Sequence, residues 1–419
     1  MPQGARAGLA AAGVGRPLVD ASGRGKYGAR ASRAHLVNPT IFLLAIAAAN
    51  SGLAMRIVEP MLPRLASDFG TTVPATAAVI SAFAFAHAGA QYFHGPLGDR
   101  FGKLRVVTVL MALSAVAAFG CAGASDLDSL IAWRFATGLF SSATMTLGMA
   151  YVADVVPSAT RQPVLARFVS GTIIGQALGP FVGGALTDLF GWRAAFIALG
   201  AVFAIVATVL GVGTRAERKT EPRAPVPLFS PVRHLAILRL PRARAVLLSV
   251  FLEMTLFYGA FSLLGAMLKN RFDLPFTVIG LLLAGFGLGG LIYTTAVRWM
   301  LTRLGQRGCV LAGGLLGATC YLAILATPVW PVVALCTVGL GFSFYSMHNT
   351  LQTKATEMAP QSRATGMSLF SMAWAFGQAV GAALMGAGAA TFGYAPMIAG
   401  FAIAYALLGF GLRARLDRL

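Results

Sequence analysis

Four ionisable side chains lie inside otherwise apolar stretches of the sequence, namely Arg56, Glu59, Arg134 and Glu253. Their formal charges sum to zero. An arginine at the centre of a bilayer costs about 3 kcal/mol on insertion scales, so each of these arginines needs a partner. Arg56 and Glu59 are three residues apart and therefore share one helix face. We expect Arg134 at a similar depth, and a cluster of the three would be either a structural ion network or a site that handles protons or substrate.

Glu253 is the acidic residue that lies well inside an apolar stretch in the second half of the chain. Phe257, Tyr258 and Phe261 occupy the adjacent turns of the same stretch. An acid in this setting either carries a proton or bonds to a neighbouring helix. Both interpretations remain open at this point.

A polar stripe offers groups that could bind a small organic molecule. Tyr345, His348, Asn349 and Gln352 fall at i, i+3, i+4 and i+7, so they share one helix face. A lone histidine such as His348 or His87 is expected to be structural rather than a proton relay. The full set of candidate binding residues is Tyr258, Tyr345, His348, Asn349, Gln352, Trp374, Gln378 and Gln91.

The elements that must position these residues are membrane spans. Apolar residues make up 57% of the 419 residues and charged ones only 11%, whereas a soluble domain has about 25% charged residues. The mean hydropathy of +0.74 also excludes intrinsic disorder. A helix that crosses the hydrocarbon needs about 20 mainly apolar residues. Spans 1 to 12 are predicted near 40–63, 74–96, 104–124, 129–153, 163–187, 193–213, 245–268, 276–299, 308–327, 331–355, 365–390 and 394–412.

The formal net charge of +19 is distributed unevenly between the two sides of these spans. Of the 33 Lys and Arg residues, 27 fall on the side that carries both termini, and Arg64, Arg193, Lys269 and Arg271 fall on the other. This bias predicts that both termini are cytoplasmic. The charge therefore orients the protein, and no nucleic-acid partner is expected. The basic tail has an alternative interpretation as an organelle transit peptide.

An internal repeat relates the two halves of the chain. Gly175-Gln-Ala-Leu-Gly179 recurs 202 residues later as Gly377-Gln-Ala-Val-Gly381, and Phe190-Gly-Trp192 recurs as Phe392-Gly-Tyr394. Six helices plus six helices built on a repeat are typical of secondary transporters. The predicted organisation is a basic tail at 1–38, a six-helix bundle at 39–213, a basic linker at 214–244, a second bundle at 245–413 and a C-terminus at 414–419.

The loop between spans 2 and 3 carries a resemblance to a known family. Gly95-Pro-Leu-Gly-Asp99-Arg100-Phe-Gly-Lys103 resembles the signature loop of the major facilitator superfamily. In that family the loop latches the cytoplasmic ends of the two halves, which implies the same role here, with Asp154 as the expected partner of Arg100. The implied latch residues are Gly95, Gly98, Asp99, Arg100, Gly102, Lys103 and Asp154.

Span 5 contains a glycine string that resembles the motif of the proton antiporter branches of this superfamily. Its residues are Gly175, Gly179, Pro180, Gly183 and Gly184. Glycines four apart allow two helices to approach closely, and Gly285 and Gly289 of span 8 have the same spacing. We therefore expect spans 5 and 8 to meet along these glycines and form a seam between the halves.

Arg134-Phe-Ala-Thr-Gly138 resembles the arginine-centred motif of helix 4 in the same family. One position departs from the pattern. Many drug antiporters have an acid four residues before the proline of span 1, whereas Arg56 stands four residues before Pro60 here and the acid is Glu59. The cluster is thus net positive, which suggests an anionic or chelating substrate.

The resemblance implies an all-α integral membrane protein with twelve helices and proton-driven export of a small organic molecule, such as a drug, siderophore or metabolite. The alternatives are a proton-coupled importer or facilitator and, less favoured, a non-transporting membrane sensor. The implied partners are the substrate, protons and the lipid bilayer, for a monomer in a bacterial inner membrane. The four cysteines form no CxxC pattern, so no metal site and no cofactor is expected. The sequence contains no cluster of nucleophilic residues that would indicate an enzyme.

Overall fold

The computed structural model describes residues 39–221, 223, 228, 231–359 and 363–418. The predicted basic tail at 1–38 lies outside the described residues. Almost all of the described chain is helical, and the predicted all-α fold in two six-helix halves is confirmed. The spans are formed by Pro39–Arg56 with Leu62–Asp68 (span 1), Val73–Phe101 (span 2), Lys103–Ala122 (span 3), Leu127–Ser141 with Ala143–Val155 (span 4), Ser158–Phe190 (span 5), Trp192–Gly213 (span 6), Pro241–Ser262 with Leu264–Phe272 (span 7), Phe276–Ala326 (spans 8 and 9), Trp330–Glu357 (span 10), Arg363–Phe392 (span 11) and Tyr394–Arg415 (span 12).

Within the described ranges, ten helical stretches are individually long and apolar enough to cross a membrane. Span 4 is divided at Ser142 into two helices that are each shorter than a bilayer requires. The 51-residue helix Phe276–Ala326 contains two spans, because its backbone leaves the helical region at Gly305. These two features account for the difference between ten stretches and twelve spans.

The turns between spans repeat from one half to the other. Gly191 and Gly393 both have φ of 83°, and they separate span 5 from span 6 and span 11 from span 12. Gly102 and Gly305 also have positive φ at the reversals after spans 2 and 8. Side chains other than glycine rarely adopt this backbone conformation. The sequence repeat therefore corresponds to a repeat of backbone geometry.

The close contacts between helices repeat in the same way. Gly175 of span 5 faces the carbonyl of Ala49 in span 1, and Gly377 of span 11 faces that of Phe251 in span 7. The two contacts are 202 residues apart at both partners. Spans 5 and 8 pack together across the halves, and so do spans 2 and 11. Each half thus contains a tight helix pair, and two further pairs join the halves.

The two ends of the helix bundle differ in charge. The basic end carries the turns near residues 102, 157 and 305 and the linker after span 6. The opposite end carries the turns near residues 191 and 393. Between the ends, large apolar side chains are exposed, for example Leu335 at 74% and Ile205 at 61%. An exposed apolar surface of this kind suits a lipid environment.

Candidate proton and substrate site

Arg56 and Glu59 form a buried ion pair where span 1 is interrupted. Nε and Nη2 of Arg56 donate to the two carboxylate oxygens of Glu59, each at 2.8 Å. The side chains are 1% and 3% exposed. Residues 57–61 leave the helix at this point, before the proline at 63 lets the next helix begin. The predicted contact is therefore present, but a turn after the end of the helix holds the pair, not the shared helix face that the three-residue spacing predicted.

The guanidinium of Arg56 also reaches the second half of the protein. Its Cζ lies 4.6 Å from the ring centroid of Phe261, 4.9 Å from that of Phe286 and 5.4 Å from that of Tyr258. Cations are attracted to the faces of aromatic rings at such distances. Tyr258 and Phe261 stand 202 residues after Arg56 and Glu59, so the repeat brings corresponding positions of spans 1 and 7 into contact.

Arg134 does not join this ion pair, so the predicted three-residue cluster is wrong in part. Its Nη1 donates to the carbonyl of Ala54 at 2.9 Å, and its Cζ lies 4.3 Å from the centroid of Phe83. Nε and Nη2 are buried without a hydrogen-bond partner among the described residues. The physical reason is that Arg56 already occupies both oxygens of Glu59. Arg134 thus contacts a backbone carbonyl of span 1, and two of its nitrogens have no hydrogen-bond partner among the described residues.

Glu253 bonds to His348 across spans 7 and 10. Glu253 Oε2 and His348 Nδ1 are 2.9 Å apart, and the exposed fractions of the two side chains are 0% and 12%. Oε1 of Glu253 is buried with no hydrogen-bond partner in the described part of the chain. The imidazole stacks on Phe344 at 4.8 Å. The sequence missed this pair, since its members are 95 residues apart and no local spacing connects them.

The other three members of the predicted stripe on span 10 differ in how far they are buried. Tyr345 packs 5.9 Å from Phe286 and 6.4 Å from Tyr293. Asn349 is partly buried, while Gln352 is exposed. Because Phe286 also contacts Arg56, Tyr345 extends the aromatic cluster that surrounds the arginine. Their roles in binding remain predictions.

A second polar group joins spans 2, 4 and 11. The amide of Gln91 lies 3.2 Å from Nε2 of His87, and its Oε1 accepts from the hydroxyl of Thr146 at 2.6 Å. The ring of His87 is 6.4 Å from that of Trp374 on span 11. Gln378 is buried one turn further along, and its Oε1 has no partner among the described residues. Gln91 and Trp374 therefore belong to one group that crosses the two halves.

The loop between spans 2 and 3 pairs differently from the expectation. Asp154 bonds to Nζ of Lys103 at 2.7 Å, not to Arg100, and Asp99 lies 3.5 Å from the same nitrogen. Arg100 is exposed and lies over the ring of Phe101. Lys103 starts span 3, so its side chain points toward the end of span 4 that carries Asp154. Gly98 packs against Leu147 of span 4, while Gly95 has open space around it.

Two acids of the linker also hold this end of the first half. Glu221 accepts from the backbone N–H groups of Lys103 at 2.6 Å and Leu104 at 3.2 Å. Glu217 accepts from the hydroxyls of Thr40 at 2.9 Å and Tyr151 at 2.5 Å. Burial raises the pKa of Glu221, and the backbone donors partly oppose this shift. These contacts join spans 1, 3 and 4, and no sequence pattern indicated them.

Three glycines of the string in span 5 face a different helix from the one predicted. Gly175, Gly179 and Gly183 approach span 1, and Gly285 and Gly289 of span 8 approach span 10. The span 1 carbonyls that the string faces are those of Ala49, Leu53 and Ile57. These three glycines of the string therefore lie inside the first half, because their face of span 5 is turned toward span 1.

The predicted seam between spans 5 and 8 exists, but it is built only in part from the predicted residues. Gly280 faces the carbonyl of Pro180, Gly287 faces Ala177, and Gly184 faces the carbonyl of Phe276. Pro180 and Gly184 of the string thus contact the second half.

Comparisons with known proteins agree with this architecture. The family model described as Major Facilitator Superfamily matches residues 44–382 and 246–418. The chain is 26% identical over 333 residues to the uncharacterised MFS-type transporter YceJ of Bacillus subtilis, covering 79% of this chain and 84% of that protein. It is 30% identical over 177 residues to the efflux pump radE of Floropilus chiversii, covering 40% of this chain and 33% of the pump.

A solved structure shows the same fold. A crystal structure of a peptide transporter, POT, superposes with a TM-score of 0.73 at 17% identity and covers 90% of this chain and 94% of that one. The family match extends over most of the described spans of both halves. The chain belongs to the Major Facilitator Superfamily and is a multi-pass membrane transporter.

Proposed function

We propose that the protein exports a small organic molecule in exchange for protons, in the manner of the drug:proton antiporters. In this proposal it works as a monomer in a bacterial inner membrane, with both termini in the cytoplasm. The 30% identity to an efflux pump over 177 residues supports the direction of transport. The charge bias of the loops supports the orientation.

The observation that carries the proposal is the pair of Glu253 and His348. One carboxylate oxygen is bonded to the imidazole, and the other is buried without a hydrogen-bond partner among the described residues. Ionisable residues inside a membrane protein commonly mark proton and substrate pathways. His348 is partly exposed, at 12%, so it connects a buried acid to a more accessible position.

The proposed cycle uses this arrangement and the contacts that join the halves. Substrate enters from the cytoplasm and reaches the groups around Tyr345, Asn349 and Trp374. Glu253 or Glu59 then releases a proton, and rocking of the two halves opens the site to the other side. Reprotonation of the acid expels the substrate. Arg56 would leave its contacts with Tyr258, Phe261 and Phe286 during this movement, because those rings belong to the other half.

Inverted membrane vesicles with a proton gradient and a lumenal pH dye provide the test. The probes are ethidium as a cation, chloramphenicol as a neutral compound and fluorescein as an anion. A transported probe should release protons from the lumen, and collapse of the gradient should stop its movement. Glu253→Gln or Glu59→Gln should abolish this release, whereas Glu357→Gln, at an exposed acid of span 10, serves as the matched control. Equal movement of a probe with and without the gradient contradicts proton coupling.

The second candidate is proton-coupled import of an anionic metabolite. Nη1 of Arg56, like Nε and Nη2 of Arg134, is buried without a partner among the described residues. If Glu59 takes up a proton, an anion can neutralise Arg56, so proton and anion would travel together. In the same vesicles, an anion would then carry protons in its own direction of movement. The direction of the proton flux relative to the probe therefore separates the two candidates.

A further inference from the structure

The linker between the halves contains a short helix, Pro231–Leu238, at the basic end. One face of this helix is anchored to both halves. Ile237 is 4% exposed, and the helix packs against spans 7 and 11. On the same side, the ring of His234 lies 4.5 Å from that of Tyr92 in span 2. The helix therefore bridges the two halves.

The other face of the helix is apolar and exposed. Val232 is 72% exposed, Leu235 53% and Leu238 38%. These residues fall at i, i+3 and i+6 and lie on one side of the helix. Single exposed apolar residues are normal in proteins, but these three follow one another at three-residue intervals along one side of an eight-residue helix. Such an amphipathic helix is typical of segments that lie in the interface of a membrane.

The position of the helix matches that environment. Pro241, which begins span 7, is three residues after Leu238, so the helix ends within about 11 Å of the membrane span. Leu240 is 44% exposed and Leu248 57%, so exposed apolar side chains also occur at the start of span 7 and along it. The apolar face thus lies beside the end of a membrane span, at the level where lipid would surround the protein.

Basic side chains surround the end of this surface. Arg239 and Arg244 are exposed. Arg242 is exposed as well and pairs with Glu357 at 3.2 Å. Basic residues beside a membrane span are attracted to anionic lipid, at about 1 kcal/mol each, which corresponds to about fivefold in binding. The charge of the segment is therefore complementary to an anionic phospholipid surface.

We propose that Pro231–Leu238 docks in the membrane leaflet at the basic end, with Val232, Leu235 and Leu238 among the acyl chains. Arg239 and Arg244 then bind the phosphates of anionic phospholipids. This inference is independent of the substrate and the direction of transport. Because the helix contacts spans 2, 7 and 11, bound lipid would lie against the junction of the two halves.

The test uses the full chain in nanodiscs of phosphatidylcholine with rising fractions of phosphatidylglycerol. Leu235→Cys carries an environment-sensitive fluorophore, and Lys219→Cys, at an exposed site of the same linker, is the matched control. The four native cysteines are buried, so the label is selective, and unsubstituted protein is treated in parallel. Emission at position 235 should shift to the blue as phosphatidylglycerol rises, while emission at position 219 should not.

Arg239→Gln with Arg244→Gln should raise the half-saturating fraction of phosphatidylglycerol by about fivefold for each arginine removed. The matched pair Arg413→Gln with Arg415→Gln, exposed at the end of span 12, should leave it unchanged. The proposal is overturned if position 235 reports water in every lipid, or if phosphatidylcholine alone gives the full shift. A shift that appears only when cytoplasmic proteins are added would indicate a protein partner and would overturn it too.

Discussion

Arg56 has two kinds of partner at once: the carboxylate of Glu59 on its own span and three aromatic rings of the other half. Both carboxylate oxygens of Glu59 accept from the guanidinium in a bidentate contact. This is the geometry in which a guanidinium binds a carboxylate most strongly. A buried pair of this kind contributes little net stability compared with apolar residues. Loss of one partner alone is strongly destabilising, because the other charge stays buried and uncompensated.

This asymmetry gives a prediction about stability. Arg56→Gln leaves Glu59 buried without its cation, and we expect a loss of about 3–5 kcal/mol in the free energy of unfolding. The double variant Arg56→Gln with Glu59→Gln should recover most of that loss, because no charge then remains buried. Denaturant unfolding in detergent micelles measures both. If the double variant is as unstable as the single one, the ion pair does not explain the effect, and lost packing against Phe261 does.

The residue scale also shows where prediction from the sequence ends. The burial of Glu253 followed from its apolar surroundings, and the contact between Arg56 and Glu59 followed from their three-residue spacing. The bond from Glu253 to His348 depends on how spans 7 and 10 are rotated about their axes, and hydropathy contains no such information. Arg134 was correctly expected beside span 1. Its partner there could not be predicted for the same reason, and it is the carbonyl of Ala54 and not Glu59.

At the scale of elements, the glycine string shows what a small-residue pattern establishes. Glycines four apart indicate that one face of span 5 permits a close neighbour, and the structure contains such a neighbour. The pattern did not identify span 1 as that neighbour, because every helix in the bundle has several helices around it. The 202-residue repeat was the more informative signal, since it relates the contact of spans 1 and 5 to that of spans 7 and 11.

Substitution of these glycines tests the repeat. A Cβ at position 175 would overlap the carbonyl of Ala49, and one at position 377 would overlap that of Phe251. We therefore expect Gly175→Ala and Gly377→Ala each to cost about 1–3 kcal/mol through overpacking. Gly400→Ala is the control, since no atom lies within 4 Å of its Cβ and alanine favours a helix. Thermal unfolding of the three variants in one detergent should rank Gly400→Ala as the most stable.

The linker acid Glu221 gives a second prediction at this scale. Its carboxylate accepts from two N–H groups at the start of span 3, where a helix has unsatisfied donors. Glu221→Ala should remove about 1 kcal/mol of local stability, in the range of other helix caps. Hydrogen exchange at Lys103 and Leu104 should then become several-fold faster. Glu221→Gln keeps one acceptor oxygen and should show a smaller change, and equal exchange in all three proteins would exclude a capping role.

At the scale of the whole molecule, Asp188 of span 5 joins the two halves at the end of the bundle opposite the basic end. Its carboxylate accepts from the backbone N–H groups of Phe276 and Thr277, at 3.1 and 2.6 Å, and from the hydroxyl of Thr277 at 2.7 Å. A carboxylate at a helix N-terminus is favoured by the helix dipole. This contact holds the start of span 8 against the end of span 5. Together with Arg56 and its rings, it closes the two halves on this side.

If transport requires this end to open, a covalent bond across it must stop transport. Asp188→Cys with Thr277→Cys places two thiols in neighbouring positions of different halves, and the native cysteines are buried and do not compete. A short thiol crosslinker should abolish transport, and reduction of a cleavable crosslinker should restore it. Arg242→Cys with Glu357→Cys is the matched control, since these contacting residues both belong to the second half and should move together. Full transport by the crosslinked Asp188–Thr277 variant would show that the halves do not separate at this contact during the cycle.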